Sequence, residues 1–81
     1  MKVKKFINRV KDFLGLDDFE KANKKKSVKN LLHKLKVRRK QLSKFLKKQS
    51  QKKRRKEIQE ELDIVSLQIK KGRVILKKLN S

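Results

Sequence analysis

The sequence predicts an all-α fold: an antiparallel helical hairpin at about residues 28–50 and 57–79, with an N-terminal amphipathic helix at about 2–14. Three observations predict it. The chain of 81 residues has no Pro and only Gly15 and Gly72, so the residues that interrupt helices are almost absent. Apolar residues recur every three or four positions in three separate stretches, the spacing of one helix face. The two later stretches also match each other when the chain is folded back between them. At this length a single domain, 1–81, is expected.

In the first element, residues 1–16, Val3, Phe6, Ile7, Val10, Phe13 and Leu14 share one face. Lys4, Lys5, Arg9, Lys11 and Asp12 occupy the other. Gly15 supplies a left-handed stop, and Leu16 is placed to fold back on the last turn. Residues 17–27 form a connector. Within it, Asp17 and Glu20 have the spacing of a capping box, and Ser27 is a second candidate cap. A helix running unbroken from Asp17 is the alternative.

The hairpin occupies 28–81. Val28, Leu31, Leu35, Arg38, Leu42, Phe45 and Gln49 fill the core positions of its first arm, with Leu32 and Leu46 widening the stripe. Ile58, Leu62, Val65, Ile69, Gly72, Leu76 and Leu79 fill those of the second. If the chain reverses near residues 53–54, Val28 faces Leu79, Leu31 faces Leu76, Leu35 faces Gly72 and Arg38 faces Ile69. Leu42 then faces Val65, Phe45 faces Leu62 and Gln49 faces Ile58. Gly72 marks either a close helix approach or a weak spot. Arg38 is expected to extend out of the seam along its aliphatic stem. The tip, 50–56, has no Gly, Pro or Asn and five adjacent cations, so a frayed, mobile segment is expected there.

Ile64, Leu67, Val74 and Ile75 lie off the hairpin stripe. A helix apolar on two sides needs two neighbours. The first helix is one candidate for the second neighbour, giving a three-helix bundle. A second copy, giving a self-associating coiled coil, and a separate partner are the others. Phe6, Ile7, Val10, Phe13, Leu14, Ile64, Leu67, Val74 and Ile75 are therefore the candidate partner or membrane face.

The formal net charge is +20, against a magnitude of roughly 2–8 that suffices for the solubility of a small domain. Residues 28–56 carry fourteen Lys and Arg and no acid, on a stretch whose periodicity demands ordered helix. Such a block repels itself unless it meets an anion. Nothing in the chain offers catalysis. There is one His, no Cys, no glycine-rich phosphate loop and no pair of acids in an apolar setting. His33 is expected at the surface with no partner for metal binding. Glu57, Glu60, Glu61 and Asp63 fall at the expected start of the last helix, where they complement its dipole or pair with Lys44, Lys47 or Lys48.

The expectation is thus a non-enzymatic, strongly basic binding protein without cofactor or small-molecule substrate. Its leading partner is the phosphate backbone of nucleic acid. The residues that would carry the contact are Lys36, Arg39, Lys40, Lys44, Lys47 and Lys48 on the rod, and Lys52, Lys53, Arg54, Arg55 and Lys56 at the tip. Lys exceeds Arg by 22 to 6 and no exposed aromatic is expected, which argues for contact without sequence specificity. RNA is favoured over DNA, because structured RNA is recognised largely through shape and phosphate. Two alternatives remain: an adaptor docking on a larger acidic protein, and a peripheral binder of anionic membrane through residues 1–14. The absence of Cys and of a secretory apolar core points to the cytoplasm.

Overall fold

The computed structural model describes residues 3–16, 19 and 23–80. These form three helices, α1 (Val3–Leu14), α2 (Lys24–Lys48) and α3 (Lys52–Asn80). The last two make the antiparallel hairpin, and α1 packs across it against both arms. At ~1.5 Å per residue α3 spans roughly 43 Å, close to the 44 Å long axis of the molecule.

The first helix ends as its sequence predicts. Gly15 takes a φ of 69°, which an L side chain tolerates poorly. The Leu16 N–H donates to the Lys11 carbonyl at 3.0 Å and the Gly15 N–H to the Asp12 carbonyl at 3.2 Å. This pair of bonds is the Schellman closure. Val3, Phe6, Ile7 and Val10 are buried against the hairpin, so α1 is the third layer of the core.

The start of α2 differs from expectation. Asn23 is the cap, its Oδ1 accepting from the Lys26 N–H at 2.8 Å, and Ser27 lies one turn inside the helix, buried. Phe19 and Asn23 are non-helical, so no unbroken helix runs from Asp17. The capping box at Asp17 and Glu20 lies outside the described residues.

The reversal also differs. The chain turns at 49–51, and Lys52 to Lys56 form the opening of α3 rather than a frayed tip. Arg55 holds this turn together. Its Nη1 donates to the Leu46 carbonyl at 2.8 Å and the Gln49 carbonyl at 2.9 Å, both left open by the end of α2. The Gln51 N–H adds a bond to Gln49 Oε1.

Because the turn comes about three residues early, the hairpin register moves by about one to two helical turns. Gly72 lies against Leu32 instead of Leu35. A Cβ added at Gly72 would fall 2.7 Å from Leu32 Cδ2 and 3.0 Å from Phe6 Cζ. Gly72 therefore marks the place where all three helices converge. Arg38 meets Glu61 instead of Ile69. Phe45, expected in the seam opposite Leu62, is 55% exposed. The buried core is Val28, Leu31, Leu32, Leu35 and Leu42 of α2 with Val65 and Ile69 of α3, closed by α1.

Candidate nucleic-acid interface

Regular helix through residues 34–48 places the cations of α2 by angle alone. At 3.6 residues per turn, Lys36, Lys40, Lys44 and Lys47 fall within an arc of about 80° on the side away from Leu35 and Leu42. All four are exposed, and none has a carboxylate partner among the described residues. Lys29 and the exposed His33 extend the same stripe toward the start of the helix.

The stripe is electrostatically costly. Lys36–Lys40, Lys40–Lys44 and Lys44–Lys47 are like-charge neighbours at three- and four-residue spacing, each destabilising by about 0.2–0.5 kcal/mol. Burial of Leu31 and Leu35 on the opposite face, each about 1.5–3 kcal/mol, outweighs this and holds the helix. An anion laid along the stripe would relieve the repulsion without any change of fold.

The other expected site residues divide. Arg39 is half-buried toward the core side of the stripe. Lys48 lies on the opposite flank of α2, beside Phe45 and Arg54, in a shallow hollow also bordered by Arg38, Gln49 and Glu61. Lys52, Lys53 and Lys56 are exposed. Arg54 stands 3.9 Å from Glu57. Arg55 is engaged with the carbonyls of α2 and acts as its terminal clamp. Sequence reasoning missed that role. The available signal was a guanidinium a few residues past the end of a helix, where open carbonyls need donors.

The acidic residues also move. With α3 starting at Lys52, Glu57, Glu60, Glu61 and Asp63 sit beyond the first turn, where the helix dipole no longer acts on them. The first turn of α3 is purely cationic instead. Glu61 takes Arg38, and Asp63 accepts from Gln59 Nε2 at 2.9 Å. No pair to Lys44, Lys47 or Lys48 forms.

On the far side of the molecule, the surplus apolar face of α3 is only partly covered. Ile75 is half-buried and packed on the core. Ile64, Leu67 and Val74 are 47%, 52% and 51% exposed. With Phe6 and Val10 of α1 they line an open groove of about 640 Å³. Phe13 and Leu14 are half-buried and pack on the core.

Among the described residues, no three of His, Cys, Asp and Glu converge to hold a metal ion, and no helix is long and apolar enough to cross a membrane. No protein family, curated protein or solved structure matches this chain. The site therefore stands on its own geometry.

Proposed function

We propose that the protein is a non-enzymatic binder of nucleic acid that lays the Lys36, Lys40, Lys44 and Lys47 stripe along a phosphate backbone. The observation that carries this reading is the stripe itself: four exposed ammonium groups on one helix face with no acid paired to them among the described residues. Lys52 and Lys53 continue the cationic surface at the hairpin end, in the first turn of α3. Contact with phosphate releases condensed counterions, which supplies affinity without reading bases.

RNA is the favoured polymer. The ammonium groups suit shape and phosphate recognition, and Phe45 adds one exposed ring beside Lys48 and Arg54, against which an unpaired base can stack. This ring corrects the expectation that no aromatic is exposed. The apolar face of α1, by contrast, is occupied by the hairpin, which leaves that helix little to insert into a membrane.

The test is titration of a fluorescently labelled RNA hairpin at increasing KCl. With about six phosphates contacted, log K falls against log salt with a slope near −5. The variant K36A/K40A/K44A/K47A keeps its helicity and loses about three to four units of that slope. Affinity independent of salt, or an unchanged slope in the variant, overturns the proposal.

A further inference from the structure

The groove between α1 and α3 lies apart from the α2 stripe and is not used by the proposed function. Its wall is apolar: Phe6, Val10, Ile64, Leu67, Val74 and Ile75. Three of these side chains, Ile64, Leu67 and Val74, are about half exposed along one side of α3, with Lys71 among them. From Ile64 to Ile75 the groove runs roughly 16 Å along α3, the length of about three helical turns.

A further observation describes what would fit. The rim is cationic: Lys5 and Arg9 border the groove from α1, and Lys70 and Lys71 from α3. None of these four has an acidic partner among the described residues. An apolar trough with a positive rim is complementary to something apolar and acidic on its flanks.

A second copy does not meet that description. In a twofold contact the same patch meets itself, which places each copy's rim cations against the other's and adds the repulsion of two chains of +20. Nucleic acid presents no aliphatic ridge. A lipid surface is reached by a convex apolar face, whereas this one is concave between two helices.

We infer that the α1–α3 groove receives an amphipathic helix of an acidic protein. Apolar side chains at i, i+3/i+4 and i+7 of that helix sit between Phe6 and the Leu67–Val74 wall. Asp or Glu on its flanks pair with Lys5, Arg9, Lys70 and Lys71. Apolar contact supplies the affinity and the charge ring supplies orientation and encounter rate. The chain would then hold an acidic protein on one face while α2 faces nucleic acid on the other.

The experiment uses the full chain and a synthetic helical peptide with a leucine stripe and glutamate flanks. The comparison is a peptide of identical composition with the stripe scrambled. Amide shifts in the NMR spectrum locate binding, and fluorescence anisotropy measures it. The striped peptide is expected to shift the amides around Ile64 to Ile75 and to bind about tenfold tighter than the scrambled one. Leu67→Glu is expected to remove that advantage and K70E/K71E to weaken both peptides, with the circular dichroism unchanged. K36A/K40A/K44A/K47A should bind the striped peptide as the parent does, which separates this inference from the proposed function. Equal binding of the two peptides overturns the inference, as does insensitivity to Leu67→Glu. So does Leu67-dependent attachment to phosphatidylserine vesicles in the absence of peptide binding, or a Leu67-dependent dimer in sedimentation.

Discussion

Arg38 reaches across the hairpin to Glu61, placing Nη2 2.6 Å and Nε 3.1 Å from a single carboxylate oxygen. This is the one inter-helical ion pair among the described residues, and it draws an arginine out of the seam much as its long stem permits. The pair is partly solvated, with side-chain exposures of 40% and 34%. Its worth is therefore that of a surface pair. Glu61→Gln is expected to cost about 0.5–1 kcal/mol and to lower Tm by a few degrees in low salt. The difference should shrink in 1 M salt, where screening removes most of the attraction. A double-mutant cycle with Arg38→Met that returns no coupling would show the pair to be incidental.

Gly72 can be tested against its own helix propensity. Ala is favoured over Gly inside a helix by about 1 kcal/mol, so an unconstrained position would gain stability on Gly72→Ala. Here the new methyl would lie 2.7 Å from Leu32 Cδ2, 3.1 Å from Leu32 Cγ and 3.0 Å from Phe6 Cζ. Leu32 is buried and cannot swing away freely, so overpacking of about 1–3 kcal/mol is expected to outweigh the propensity gain. Urea denaturation should show a net loss, and shortening the neighbour in G72A/L32A should recover part of it. A gain for Gly72→Ala would mean the helices separate at no cost.

Periodicity made the helices and the hairpin legible, because each follows from which face is apolar, and it left the docking of α1 as one of three candidates for the surplus face of α3. It did not fix the register. A heptad stripe maps onto its partner nearly as well after a shift of one turn, so the pairing of Leu35 with Gly72 and of Leu32 with Gly72 are almost equally good as patterns. The offset is set by where the chain reverses, and there the sequence misled. Five cations in a row look incompatible with helix, yet Arg55 converts one of them into a clamp on the carbonyls of α2. The lysine stripe was visible for the same reason as the core, since it is the complement of the apolar face. Which arginines are engaged inside the molecule, and the exposure of Phe45, depend on the register and so lay beyond pattern alone.

The opening of α3 is a second place where charge acts against stability. Its first turn contains no acid, and Lys52 and Lys53 face the positive end of the helix dipole. Lys53→Glu is expected to stabilise the protein by about 0.3–1 kcal/mol while weakening RNA binding. Arg55→Ala should do the reverse to the fold, costing about 0.5–1.5 kcal/mol and accelerating hydrogen exchange at the hydrogen-bonded amides of Gln49 and Arg55, which flank the turn. If Arg55→Ala left exchange there unchanged, the turn would be held by something other than the guanidinium.

Phe45 gives the sharpest way to separate base contact from phosphate contact. The ring is exposed at the end of the rod beside Lys48 and Arg54, so removing its aromatic character should leave stability within about 0.5 kcal/mol of the parent. Stacking of one base on such a ring is worth about 1–3 kcal/mol, whereas a fully paired duplex offers no free base face along its length. Phe45→Leu is therefore expected to weaken binding to a short single-stranded RNA by about tenfold and to leave binding to a duplex of the same length nearly unchanged. The salt slope should be the same in both proteins, because no phosphate contact is lost. Replacing a base of the single strand with 2-aminopurine supplies a direct signal, since stacking on Phe45 changes its fluorescence only in the parent. Equal losses on duplex and single strand would place Phe45 in the fold rather than in the interface.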